Sequence, residues 1–254
     1  MTLPQFRVDG QIALVTGASS GLGLRFAELL VAAGAVVGIA ARREDKLAAV
    51  AARLGDSAIP IPMDVTDDAA IARGFDQLEA KAGGCASIIV NNAGMADPTG
   101  FLDAERAATE AVFATNQMAV FAVAQQAAQR MIKAGIGGSI INIASIAGLR
   151  TIGGAASYAA SKAAVAHLTK VQALECARHG IRVNALAPGY ITTDINAGFL
   201  ASPAGEKLIK RIPMQRCGTP EDLDGALLLL ASDAGAFMTG VVLPVDGGHL
   251  TSTL

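Results

Sequence analysis

Tyr158 and Lys162 stand four residues apart in a stretch, Ala155 to His179, that holds no proline and no glycine. Its Ala, Leu, Val, Lys and Gln content predicts one long helix. Positions i and i+4 share a helix face, so a phenol and an ammonium are presented side by side. A free phenol has a pKa of roughly 10 and is a poor base at neutral pH. A nearby cation favours the phenolate. A tyrosine tuned in this way donates or accepts a proton at an oxygen atom. The plainer alternative is a solvated lysine beside a half-buried tyrosine, because the spacing alone is common in helices.

A second constellation lies near the start. The β-branched run Ile12 to Thr16 predicts a buried strand. It enters Gly17-Ala18-Ser19-Ser20-Gly21-Leu22-Gly23, and an apolar helix continues to about Ala33, with Gly34 as its stop. Glycines let a backbone approach a pyrophosphate, and a helix N-terminus offers free N–H groups and a positive dipole. The spacing is G-x-x-x-G-x-G, not the G-x-G-x-x-G of the usual dinucleotide fingerprint. A second strand, Ala35 to Ala41, ends at Arg42-Arg43 with no acid at its end. In dinucleotide folds an acid there holds a ribose 2′-OH, and an arginine accommodates a 2′-phosphate. Arg42 and Arg43 are therefore candidate phosphate contacts, or else two surface arginines opening a solvated helix.

The elements that must position these groups alternate strand and helix. Ala58 to Met63 reads as a third strand, poor as a central one because of Pro60 and Pro62. Asp64-Val65 follow it. Asp64 either accepts from an adenine amino group or caps the helix beginning near Asp67. Ser87 to Val90 is a fourth strand leading into Asn91-Asn92-Ala93-Gly94, where small residues and an amide admit a flat ligand. Asp103 to Ala134 reads as mainly helical, with Asn116 inside it. Asn is a modest helix former, so it needs a partner there. Ser139 to Ala144 is a fifth strand, ended by Ser145 and followed by the glycine-rich loop Gly148 to Gly154. Arg182 to Ala187 is a sixth, ending in Pro188-Gly189. Tyr190 to Arg216 is irregular, with room for a short helix, and has the length of a substrate-binding lid. Pro220 to Ala231 is a helix with proline in its first turn, and Val241 to Val245 is the seventh strand. This alternation implies an α/β fold with a parallel sheet and right-handed crossovers. With no linker or repeat, residues 1–254 read as one domain.

Composition excludes several classes. The apolar share is 52%, mostly Ala and Val, and there is no Trp. The apolar run Leu29 to Ala41 contains Gly34 and Gly38 and falls short of the roughly 20 residues that span a bilayer. The N-terminus, MTLPQFRVDGQ, lacks a basic and then apolar leader. Net charge is −2 with no basic cluster, which disfavours nucleic acid. Three scattered cysteines fit a reducing cytoplasm. His167, His179 and His249 cluster with neither Cys nor carboxylates, so no metal site is assigned.

Taken together, Thr16-Gly17-x-x-x-Gly21-x-Gly23, Asn91-Asn92-Ala93-Gly94, Asn116, Ser145, Tyr158-x-x-x-Lys162 and Pro188-Gly189 resemble the short-chain dehydrogenase/reductase family in order and spacing, over essentially the whole chain. The resemblance implies a Rossmann-type, doubly wound, seven-stranded parallel sheet with helices on both faces, and hydride transfer between a nicotinamide cofactor and a ketone or secondary alcohol. It implies that Tyr158 is the general acid/base and that Ser145 bonds the substrate oxygen. It further implies that Lys162 lowers the Tyr158 pKa and bonds the nicotinamide ribose, while Asn116 holds a water in a proton relay. It makes Asp64 and Val65 the adenine contact, and Ile191 and Thr193 contacts of the carboxamide and pyrophosphate. Ser20 departs from one NADP pattern, which has a basic residue there; Arg42 meets the other. NADP(H) is thus preferred, with NAD(H) still admitted. Among substrates, 3-oxoacyl groups lead and a sugar or polyol is the alternative, because Met95, Ala96, Leu149, Thr151, Ile152 and Tyr190 to Leu200 are mostly apolar or small. A catalytically dead nucleotide-binding scaffold is the remote third. Apolar surface on the two long Ala-rich helices, around Asn116 and Tyr158, suggests a homotetramer.

Overall fold

β1 (Ile12–Thr16) lies inside the sheet, with β2 (Val36–Ala41) on one side and β4 (Ile88–Asn91) on the other. The computed structural model describes residues 6–193, 197–200 and 202–252. β3 (Ala58–Pro62), β5 (Gly138–Ile143), β6 (Ile181–Pro188) and β7 (Val242–Val245) complete a seven-stranded sheet in the order β3-β2-β1-β4-β5-β6-β7. Every pairing is parallel. The order reverses between β1 and β4, and the crevice beyond their carboxyl ends is where such sheets bind ligands.

Alternation along the strands sends residues to two cores. Ala13 and Val15 face α1 (Gly21–Ala32), α2 (Glu44–Leu54) and α9 (Asp224–Ala231), against Phe26, Leu30, Leu47 and Leu227. Leu14 faces the other way, toward α3 (Asp68–Ala82) and α5 (Ala119–Ala134), with Phe75, Leu78 and Met131. With both faces covered, the strands read as continuous apolar runs. β3 is an edge strand, which reconciles Pro60 and Pro62 with a sheet.

Boundaries shift where backbone pairing changes. The stretch around Tyr158 forms α6 (Ala156–Cys176), and its last residues tighten into a 3₁₀ turn, Ala177–His179. The helical segment before it starts later than expected, as α4 (Arg106–Phe113), and a π turn at Ala114–Met118 separates it from α5. The irregular region after β6 holds two short helices, α7 (Ala197–Leu200) and α8 (Pro203–Ile209). Residues 194–196, part of the expected substrate lid, lie outside the described residues.

A buried polar chain ties the strand ends to α6. Asn91 Nδ2 donates to Asn142 Oδ1 at 2.9 Å. Asn142 Nδ2 donates to Thr169 Oγ1 and Gln172 Oε1, each at 2.9 Å. Asn142 and Thr169 are fully buried. Removing Asn142 strands its partners, and a buried polar group left unpaired costs about 1–3 kcal/mol. Asn142→Ala should therefore lower the unfolding free energy by about that much in urea titration, with an unchanged m value. A loss too small to measure would mean the chain is not structural.

Candidate active site

The turn after β1 is built for close approach. Gly17 has φ +68°, and a Cβ there would lie 2.9 Å from Ala93 Cα. A Cβ on Gly23 would lie 2.4 Å from both Gly17 O and Asn92 Nδ2. Asn92 causes part of this crowding: its Nδ2 donates to Thr16 O at 2.9 Å. In return, Thr16 Oγ1 accepts from the backbone amides of Asn92 and Ala93, each at 3.0 Å. The turns after β1 and β4 are thereby locked together. Sequence reasoning gave neither Thr16 nor Asn92 a role of its own; a hydroxyl closing an otherwise aliphatic strand was the available signal. Ser20 caps α1 with no side-chain bond, so no side chain blocks the first amides of that helix. A backbone cradle narrowed by absent Cβ atoms, with uncapped helix amides, suits a pyrophosphate.

On the β2 side, Arg42 and Arg43 are exposed just past Ala41. Asp64 Oδ1 accepts from Thr66 N at 2.9 Å and Thr66 Oγ1 at 2.7 Å. Those two bonds hold its pKa below the usual carboxylate value, with the Arg42 charge assisting. Asp67, not Asp64, caps α3, accepting from Ala69 N at 2.9 Å. The capping alternative for Asp64 is thus removed. Val65 and Leu22 pack partly into the two cores. Asn91 differs from expectation: its side chain is buried against Asn142, so only its backbone remains as a cofactor contact. Gly189 follows β6 where a Cβ would lie 2.7 Å from Asp246 Cα. Ile191 makes a parallel bridge to Gly218.

The proton-handling groups converge beyond β4 and β5. Asn116 is 0% exposed in the π turn. Its Oδ1 accepts from Met95 N at 2.8 Å, and its Nδ2 donates to Met95 O at 2.9 Å and Ser161 Oγ at 3.1 Å. It thus clamps the loop after Gly94 against α6, which supplies the partner that a mid-helix Asn requires. Lys162 is 5% exposed, and its Nζ donates to Ile143 O at 2.7 Å. Burial lowers its pKa to about 8. The ammonium lies 5.9 Å from the Tyr158 ring centroid. Ser145, extended at φ −166°, accepts from Ala147 N at 3.1 Å, and its hydroxyl stands close enough to Tyr158 to favour the phenolate.

Burial raises the Tyr158 pKa above the ordinary phenol value, and Ser145 offsets this only in part. Lys162 approaches the ring, while its proton bond goes to Ile143. Tyr158 is accordingly a protonated donor at neutral pH.

The outer wall holds Tyr190, whose ring meets His249 at a centroid distance of 5.6 Å, and Arg150, which donates to His249 O at 3.0 Å. Met95 and Leu149 are exposed at the rim.

Residues 17–249 match a family profile described as enoyl-(acyl carrier protein) reductase. The chain is 39% identical over 248 residues to galactitol 2-dehydrogenase (L-tagatose-forming) of Cereibacter sphaeroides, covering 96% of each. The chain belongs to the short-chain dehydrogenase/reductase family. Its backbone follows a short-chain type dehydrogenase/reductase from Mycobacterium marinum with TM-score 0.91 and 39% identity, over 96% of this chain and 97% of that one. It follows a gluconate 5-dehydrogenase from Burkholderia cenocepacia, solved with NADP and tartrate, with TM-score 0.93 and 38% identity, over 98% and 99%. As a short-chain dehydrogenase/reductase the chain is an oxidoreductase of alcohols and ketones.

A bound nicotinamide dinucleotide supplies the hydride donor or acceptor in this chemistry. The chain supplies everything at the oxygen. We propose that in reduction the hydroxyls of Ser145 and Tyr158 meet, as donors, the negative charge that builds on the carbonyl oxygen. In that proposal Tyr158 gives up its proton in reduction, and its deprotonated form takes one back in oxidation. Lys162 contributes a fixed positive charge beside the ring for as long as it keeps its proton.

Tyr158→Phe should cut turnover by ~10² to 10⁴ with cofactor affinity nearly intact, since only the phenolic proton is lost. Retention of more than about a tenth of kcat would place the acid elsewhere. The Lys162 charge is present below about pH 8 and lost above it. In the wild type, kcat/KM for ketone reduction should hold below that pH and decline above it, and a flat profile through that range would remove Lys162 from the mechanism.

Proposed function

We propose that this short-chain dehydrogenase/reductase interconverts the secondary alcohol and ketone of a small polyhydroxylated substrate, using NADP(H). The observation that carries the reading is a polar cluster: Tyr190, which is within electrostatic reach of Tyr158, meets the His249 ring, and Arg150 bonds the His249 carbonyl. An acyl chain meets few partners there, whereas hydroxyl groups meet several. The galactitol dehydrogenase and gluconate 5-dehydrogenase relatives support the same choice. Reduction of a 3-oxoacyl group is the second reading, favoured by exposed Met95 and Leu149 at the rim and by the acyl-carrier substrate named in the enoyl-(acyl carrier protein) reductase profile. A dead nucleotide-binding scaffold has no use for a complete Asn116, Ser145, Tyr158 and Lys162 set. Oxidation of polyols and reduction of 3-oxoacyl thioesters, run side by side, decides between the first two.

NADP(H) preference rests on Arg42. No acid at Ala41 repels a 2′-phosphate, and the planar guanidinium suits one. Arg43 and the adenine-side pair Asp64 and Val65 complete that end of the cleft in this reading, with the glycine turn on the pyrophosphate. Pro188, Gly189, Ile191 and Thr193 stand at the nicotinamide end. A charge-assisted bond is worth roughly 1.5–3 kcal/mol, so Arg42→Ala should raise KM for NADPH by about one to two decades. KM for NADH should hardly move, and Ala41→Asp should favour NADH. A higher wild-type kcat/KM with NADH would make Arg42 a surface residue only.

The assembly we favour is a homotetramer. Met118 and Phe121 on the α5 side, with Val171 and Leu174 on α6, form apolar surface, and Leu174 is 82% exposed. Symmetric association is the usual way such faces are covered. Sedimentation velocity at micromolar concentration should give four copies, and a monomer would overturn the proposal. No helix among the described residues is long and apolar enough to cross a membrane. The cytoplasm is the compartment we infer.

A further inference from the structure

Arg150 sits in the loop after Ser145, where its backbone amide closes a turn on Ile146 O at 2.9 Å. Its guanidinium is half-buried. Nη1 donates to His249 O at 3.0 Å, to Ser252 O at 3.2 Å and to Ser252 Oγ at 3.3 Å. All three acceptors are uncharged. Among the described residues no carboxylate pairs with Arg150, and its Nε and Nη2 make no hydrogen bond. The contrast with other half-buried arginines is informative. Arg25 is paired with Asp224, and Arg130 with Asp76 and Glu79. Arg182 also lacks a carboxylate, but it divides Nη1 and Nη2 among three backbone carbonyls far from the cleft.

The surroundings of Arg150 hold it open. Asp246, the carboxylate of the same C-terminal tail, is committed to the backbone amides of Gly248 at 2.9 Å and Leu250 at 2.7 Å. The tail is fixed from the other side by Met214 N donating to Gly247 O at 3.2 Å. Arg211, exposed and a few residues before that contact, adds positive charge near His249. Successive contacts link it inward: Arg150 bonds the His249 carbonyl, the His249 ring meets Tyr190, and Tyr190 lies within electrostatic reach of Tyr158. A partly desolvated guanidinium with a free N–H edge is a ready partner for a planar carboxylate.

We infer that Arg150 is the carboxylate anchor of the substrate pocket. The preferred substrate is then a small hydroxy acid, or the corresponding oxo acid, held at its acid end by Arg150 while its carbinol meets Ser145 and Tyr158. This rests on the polyhydroxylated-substrate reading above and narrows it to anions.

The test pairs short hydroxy acids, gluconate and tartrate among them, each with its uncharged amide, using NADP⁺ and NAD⁺. Wild-type enzyme should use or bind the best acid at least tenfold better than its amide, as one charge-assisted contact requires. Arg150→Gln should raise KM for the acid by about tenfold to a hundredfold relative to KM for the amide, with kcat moved far less, and Arg150→Lys, which keeps the charge but not the planar fork, should recover only part of the loss. If Arg150→Gln weakened acid and amide by the same factor, Arg150 would be only a strap on the tail. If wild-type enzyme used amides or neutral polyols as well as acids, the inference would fall even with no folded variant in hand, while the polyol reading survived. Turnover of thioesters alone, or of nothing, would sink both readings together.

Discussion

The cleft depends on one buried cation. Lys162 has no carboxylate within ion-pair distance among the described residues, and its ammonium is held by the carbonyl of Ile143. Ile143 is the last residue of β5, and Ser145 lies two positions beyond it. The same bond therefore sets the height of α6 over the sheet and the distance between Tyr158 and Ser145. A buried charge is tolerated only where geometry and hydrogen bonding are good. Gly148 shows how tight the fit is, since a Cβ there would lie 2.5 Å from the Lys162 carbonyl carbon. Loop, strand end and helix can close on that lysine only with no side chain at this position.

Buried amides extend the same logic. Asn116 fastens Met95 and Ser161, Asn92 fastens the glycine turn, and Asn142 joins β4, β5 and α6. Each carries both a donor and an acceptor, so each can bridge elements whose backbone groups are otherwise unpaired. This is how a cleft lined by loop backbone stays rigid without a hydrophobic plug. Asn91 shows the cost of the arrangement, because its Oδ1 is buried with no partner among the described residues.

Much of this was legible in the residues. Strand runs and glycine punctuation placed all seven strands to within a residue or two at their ends, and the helix of Tyr158 to within a turn, because apolar periodicity and proline exclusion are local signals. Edge placement of β3 followed from Pro60 and Pro62. Four features were not legible, and each depends on contacts distant in sequence. The π turn at Asn116 arises from bonds to Met95 and Ser161. The burial of Asn91 arises from register with Asn142. The upward push on the Tyr158 pKa reflects desolvation outweighing Ser145, a balance that i, i+4 spacing to Lys162 does not reveal. The polar character of the outer wall was missed because Arg150 and His249 are far apart along the chain and meet only through the tail.

The two outer strands have something in common beyond their position. Met63 N donates inward to Ala41 O, so by strand alternation Pro60 and Pro62 sit at the outward-facing positions of β3. On the far side, Gly189 N donates to Val245 O and Ala185 N to Val241 O, which turns Pro244 outward on β7. Both rims of the sheet are thus missing amides at the positions where a foreign strand would dock. For a chain so rich in Ala and Val, this blunts edge-to-edge polymerisation. Each rim therefore offers a foreign strand fewer donors than an unbroken edge would.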